Sequence, residues 1–156
     1  MKKIILVFST FILLSAPIFA QTVDDYIELV RDVLKTEKKA VIADAMMFTE
    51  AESGPFWELY NEYELEANKV HNKRIAIIKD FATNYENMTD AKADELWTNS
   101  MAYQQELLKL KKSYYSKFKK ILPAGKAAKY FQIDNKIETL VNAELALQIP
   151  VVEVAE

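Results

Sequence analysis

Two consecutive stretches of roughly thirty residues, each with helical periodicity and almost free of helix breakers, constrain this chain more than any other feature in it. Between Gly54 and Gly125 there is no glycine, and between Pro55 and Pro123 no proline, so nothing in that span ends a helix early. Apolar residues recur there in steps of three and four. In the first stretch Phe56, Tyr60, Tyr63, Ala67, Val70, Ile77 and Phe81 fall on one stripe, interrupted at Arg74 and flanked by Trp57, Ile78 and Tyr85. In the second, Trp97, Met101, Gln104, Leu108, Lys111, Tyr115, Phe118 and Leu122 form one row. Leu96, Tyr103, Leu107, Leu110, Tyr114 and Ile121 form another beside it. A period near 3.5 is the seam of helices packed side by side. A polar break at 84–90 folds the two back on one another.

Each helix opens on a start signal. Thr49-Glu50-Ala51-Glu52 reads as a capping box, in which Thr49 and Glu52 satisfy each other's backbone amides. Gly54-Pro55 falls early, where the first turn tolerates a missing N–H. Thr89-Asp90-Ala91-Lys92 repeats the pattern with a lysine in place of the reaching carboxylate, a weaker cap. At 1.5 Å per residue each helix runs about 45 Å, which makes a long, thin body that exposes much surface to a partner.

The remainder is an export signal and two shorter helices. Lys2 and Lys3, the apolar run 4–15 and the Ala16-Pro17-Ile18-Phe19-Ala20 segment read as a signal peptide over 1–20, cleaved after Ala20. The apolar run is too short for a comfortable transmembrane anchor, so no membrane span is expected after cleavage. The product, 21–156, is expected to be a single helical domain. It begins with a leading helix over 24–46, whose polar cluster Lys35-Thr36-Glu37-Lys38-Lys39 reads as a solvated turn or a bend. Phe48 is placed as a hydrophobic staple on the Thr49 cap. Pro123 and Gly125 give the strongest stop signal, and a final helix follows over about 126–147. Few glycines and prolines and no alternating pattern make the fold class all-α.

Removal of the two leader lysines takes 20 basic side chains to 18 against 23 acidic ones, an acidic product that, like export itself, argues against a nucleic-acid partner. Cysteine is absent, so packing must hold the domain without disulfides. His71 is the sole histidine and reads as a partly exposed helix residue, since metal sites need several converging ligands. Glu58, Glu62 and Glu66 step along one face and read as solvated. Neither a phosphate loop nor a nucleophile elbow is present. No metal, cofactor or catalytic residue is expected, and the protein does not read as an enzyme.

Charge is polarised along the hairpin. Glu50, Glu52, Glu58, Glu62, Glu64 and Glu66 make the start of the first long helix acidic, and Lys109, Lys111, Lys112, Lys117, Lys119 and Lys120 make the end of the second basic. A turn centred on Met88 sets residue 66 opposite residue 110. One reading is mutual neutralisation across the hairpin, about 0–1 kcal/mol per exposed pair. The other is a basic, aromatic surface for acidic or partly unfolded polypeptide, formed by Leu108, Lys109, Lys111, Lys112, Tyr114, Tyr115, Lys117 and Phe118.

The motifs Phe48-Thr49-Glu50-Ala51-Glu52 and Met88-Thr89-Asp90-Ala91-Lys92, with Phe56-Trp57-Glu58-Leu59-Tyr60 after the first, resemble the Leu-Thr-x-x-Gln helix starts of the Spy/CpxP-like bacterial periplasmic proteins. Phenylalanine or methionine stands for the leucine, and glutamate or lysine for the glutamine. The order of export signal, lead helix, long hairpin and final helix is also similar. The resemblance implies a thin four-helix hairpin dimerising into a cradle, periplasmic location, and no cofactor. It also implies an ATP-independent chaperone for unfolded clients, or a sensor subunit bound to one envelope partner such as a sensor kinase ectodomain. The near-absence of histidine and cysteine argues against the metal-binding branch.

Overall fold

The computed structural model describes residues 37–152. The expected signal peptide and residues 24–36 of the expected leading helix lie outside them. The described residues form four helices: α1 (37–46), α2 (Glu50–Asn84), α3 (Asp90–Ile121) and α4 (Ala124–Gln148), with a short 3-10 turn, Tyr85–Asn87, between α2 and α3. Among the described residues there is no strand. The all-α hairpin with two long antiparallel helices is therefore the architecture of this chain.

The hairpin register is the expected one. Tyr63 packs on Tyr114 with ring centroids 5.2 Å apart, Lys73 meets Glu106 at 2.6 Å, and Lys117 lies 3.8 Å from Glu62. At the start of α2 the Glu52 carboxylate accepts the Thr49 amide at 2.9 Å within the capping box. At the start of α3 the Thr89 hydroxyl accepts the Lys92 amide at 3.2 Å. Lys92 does more than weaken its cap: its ammonium reaches Glu95 at 2.9 Å and Asp80 on α2 at 3.3 Å, tying the two helices across the turn.

Several local expectations are corrected. Pro55 does not sit in the first turn: α2 begins at Glu50, so Pro55 falls in the second, where its missing N–H leaves the Ala51 carbonyl without its i→i+4 donor. Of the cluster expected as a solvated turn or a bend, Glu37, Lys38 and Lys39 are helical residues of α1, Lys38 is largely buried, and Lys35 and Thr36 lie outside the described residues. The α3–α4 break is two extended residues, Leu122 (φ −131°) and Pro123 (φ −54°). The proline bars its predecessor from helical geometry. Gly125 lies inside the first turn of α4.

The core sits at one end of the hairpin. Phe56, Tyr60, Tyr63 and Ala67 of α2, Tyr114 and Phe118 of α3, Leu122, Ala127, Tyr130 and Phe131 around α4, and Ile42 and Met46 of α1 form one buried cluster. Tyr130 is its hub, with ring centroids 4.7 Å from Phe118, 4.9 Å from Phe131 and 5.2 Å from Phe56. Such pairs contribute about 0.5–1.5 kcal/mol each beyond area burial. Phe48 reaches past the first turn to pack on Phe56, the ring centroids 4.2 Å apart and the planes tilted by 35°. Toward the turn the core thins to Val70, Tyr103 and Leu107, with Leu96 as the last buried side chain of α3. Along α2 no residue after Val70 is buried.

On α3 the hairpin buries the second apolar row and leaves most of the first outside. Leu96, Tyr103, Leu107 and Tyr114 are buried, whereas Trp97 is 65% and Leu108 54% exposed. Phe118 of the first row is nonetheless fully buried. The cause is helical drift. Residues spaced by seven turn about 20° per heptad on a straight helix, so the row Trp97, Gln104, Lys111, Phe118 rotates by three such steps until it enters the core.

Candidate functional site

Because the first α3 row faces away from the hairpin seam, it lines an open groove of about 840 Å³ between α2, α3 and α4. Arg74, Ile77 and Ile78 of α2 form one side. Tyr103, Gln104, Leu107, Leu108, Lys111, Lys112 and Tyr115 of α3 form the floor. Phe131, Asn135, Glu138 and Asn142 of α4 form the far side, with Ile149 just beyond. Ridge spacing on α3 places Gln104, Leu108, Lys111 and Tyr115 on one strip, so polar and apolar side chains alternate along the floor.

Polar contacts hold α4 over this groove. The Lys111 ammonium donates to Asn135 Oδ1 at 2.7 Å and to the Glu138 carboxylate. The Arg74 guanidinium donates to Asn142 Oδ1, so the residue that interrupts the α2 stripe does so to reach α4. His71 Nδ1 and the Tyr103 hydroxyl lie 3.1 Å apart. Burial pulls the His71 imidazole below its usual range, leaving it neutral at neutral pH. Burial also pushes the Tyr103 phenol up.

A second polar assembly lies under α1. The Lys38 ammonium bridges Asp134 Oδ1 at 2.8 Å and Glu64 Oε1 at 2.7 Å, and the Tyr63 hydroxyl donates to Asp134 Oδ2 at 3.0 Å. Burial alone would pull Lys38 down, but Asp134 and Glu64 outweigh it and push it well up. Burial raises the Glu64 carboxyl despite Lys38, and it raises the Tyr63, Tyr60 and Tyr130 phenols. The Tyr130 hydroxyl has no hydrogen-bond partner among the described residues. One signal could have found the assembly in the sequence: Asp134 follows Ala127, Tyr130 and Phe131 on the apolar side of α4, and a carboxylate there must be paired.

The residues expected to form a binding surface divide three ways. Leu108, Lys111, Lys112 and Tyr115 line the groove. Tyr114 and Phe118 are core, 6% and 0% exposed, and touch nothing outside the molecule. Lys109 is exposed away from the groove, and Lys117 lies over the Tyr114 ring at 4.2 Å. Thr49, Glu52 and Thr89 cap helices. Lys126 beside Glu52, then the Thr49 amide, hold that carboxyl below its usual range.

Among the described residues, neutralisation between the acidic start of α2 and the basic end of α3 is confined to the exposed Lys117–Glu62 contact; the pairs Lys73–Glu106 and Lys92–Asp80 cross the hairpin nearer its turn. The other paired acids at the start of α2 take lysines from outside α3: Glu52 from Lys126 at 2.5 Å, Glu64 from Lys38, Glu66 from Lys69. Among the described residues no group of three or more histidines and acids comes together to hold a metal, and no helix is long and apolar enough to cross a membrane. No family model, curated protein or solved structure matches the chain.

Proposed function

We propose that the protein is an exported, periplasmic, ATP-independent chaperone that holds unfolded or partly folded polypeptide in the groove between α2, α3 and α4. The observation that carries this reading is the make-up of that groove. It is open along its length, and it interleaves Ile77, Ile78, Leu107, Leu108 and Tyr115 with Arg74, Lys111 and Lys112. Tyrosine and long cationic stems bury apolar stems while keeping polar tips in water, which suits clients of varied sequence and gives many weak contacts in place of one tight one. The helix-start motifs at Thr49 and Thr89, similar to those of the Spy/CpxP-like proteins, support the same reading. The working unit is a homodimer, a proposal supported by the large exposed side chain of Trp97, which lies on α3 outside the groove lining.

Residues 21–156, added at equimolar dose, are expected to slow the aggregation of several unrelated denatured clients, and Leu108→Asp with Tyr115→Asp to abolish that protection. No protection of any client would overturn the reading. Recovery of one stoichiometric envelope partner in place of many clients would instead make the protein a sensor subunit. Sedimentation of the same material, alone and with client, tests the dimer.

A further inference from the structure

The lysine-rich end of α3 carries a second surface, which meets the groove only at Lys112. Residues 107–121 contain six lysines and no acidic residue, in a chain whose formal net charge is −3. Two of the six are engaged, Lys111 by Glu138 and Lys117 by Glu62. Among the described residues the other four, Lys109, Lys112, Lys119 and Lys120, make no ion pair, and all four are exposed. Lys119 only reaches back over the Tyr115 ring at 5.0 Å.

At 3.6 residues per turn these four project from the side of α3 opposite Leu107, Tyr114 and Phe118, the side turned away from α2. The array spans twelve residues, eleven helical rises or about 16 Å of straight helix. The side chains between the lysines on this face are Ser113 and Ser116, both exposed, so the face offers ammonium and hydroxyl groups and nothing apolar. The carboxylates of Glu62 and Glu138 are committed to other α3 lysines, and that of Glu106, on α3 itself, to Lys73.

From this arrangement we infer that the outer face of α3 docks the protein on an anionic phospholipid surface, Lys109, Lys112, Lys119 and Lys120 each meeting headgroup phosphate. Charge complementarity is the argument. A rigid, linear row of uncompensated cations with no apolar contact to offer matches a flat, phosphate-dense surface better than it matches a polypeptide, whose apolar side chains would find nothing there to bury against. Docking through this face covers the groove only at its Lys112 edge, since Lys109, Lys119 and Lys120 lie outside the groove lining. The proposal does not depend on what the groove holds.

The test is flotation of residues 21–156, which retain every described residue, with vesicles of phosphatidylcholine alone or with about one third phosphatidylglycerol. Salt is varied from ~50 to ~500 mM to span weak and strong screening. Binding is expected only to the anionic vesicles, falling steeply as salt rises. Each lysine removed should weaken it about fivefold, and K109Q/K112Q/K119Q/K120Q several hundredfold. Circular dichroism of that variant should show unchanged helicity and melting. No binding at low salt, equal binding to neutral vesicles, or undiminished binding of the quadruple variant overturns the proposal. So does binding to soluble poly-glutamate in preference to vesicles, which would make the face an acidic-polypeptide site.

Discussion

At the scale of single residues, Lys38 and Met47 show most clearly how position outweighs composition. Lys38 belongs to a run of five polar residues, yet it is held between Asp134 and Glu64 with 15% of its side chain exposed. A buried ion pair adds little net stability, but removing one partner strands the other. Lys38→Met should therefore cost about 3 kcal/mol, and adding Asp134→Leu should recover most of it. Urea denaturation of the two variants tests this, the double variant failing to recover being the adverse outcome. Met47 ends α1 with φ at 49°, its amide bonded to the Ala43 carbonyl at 3.4 Å and its side chain 78% exposed. A left-handed residue there would ordinarily be glycine, because a Cβ is strained at that φ. With no buried contact to lose, Met47→Gly should raise stability by about 0.5–1 kcal/mol, read as a higher melting temperature.

At the scale of elements, α2 and α3 hold themselves through caps and a long mutual seam, while α4 depends on its neighbours. Its buried residues, Ala127, Tyr130, Phe131 and Asp134, all lie in its first half. Beyond them Leu140 and Leu147 are exposed, and the helix is held over the groove by Lys111 and Arg74. Its first turn also contains Gly125, at which an added Cβ would meet no atom within 4 Å. Gly125→Ala should thus stabilise α4 by about 0.5–1 kcal/mol through helix propensity alone. A melting temperature that drops in this variant would mean the glycine serves a conformation other than the helix.

For the whole molecule, alkaline pH should be the condition that opens the thick end. The Lys38 ammonium is raised above the ordinary 10.5, and the Tyr60, Tyr63 and Tyr130 phenols above the ordinary 10.0. In each case the unfolded chain loses its proton first as pH rises, so unfolding releases protons and stability falls with pH. Stability from these groups is complete below pH 10 and declines above it. Thermal melts between about pH 8 and 11.5 should show that slope, and Tyr63→Phe should flatten it. A pH-independent melt across that window would mean these groups are not buried as described.

Much of the architecture was legible in the residues because it is local. Helix starts at Thr49 and Thr89, the break near Asn84, the turn centre at Met88 and the hairpin register follow from caps, breakers and a 3.5-residue period, each decided by neighbours in sequence. Four of the expected surface residues, Leu108, Lys111, Lys112 and Tyr115, could be picked out for the same reason: they continue an amphipathic row. What the sequence could not decide was at which positions each of the two rows on α3, one wholly apolar and one carrying Gln104 and Lys111, would face α2. That choice depends on drift accumulated over three heptads and on packing against side chains tens of residues away, which put Phe118 and Tyr114 inside and Trp97 outside. Tertiary structure likewise settled the fate of the charges. Lys38 finds Asp134, ninety-six positions on, Lys126 finds Glu52, and Lys109, Lys112, Lys119 and Lys120 find no carboxylate among the described residues. Long side chains take the partner that the fold brings within reach, and a sequence read along its length does not contain that distance.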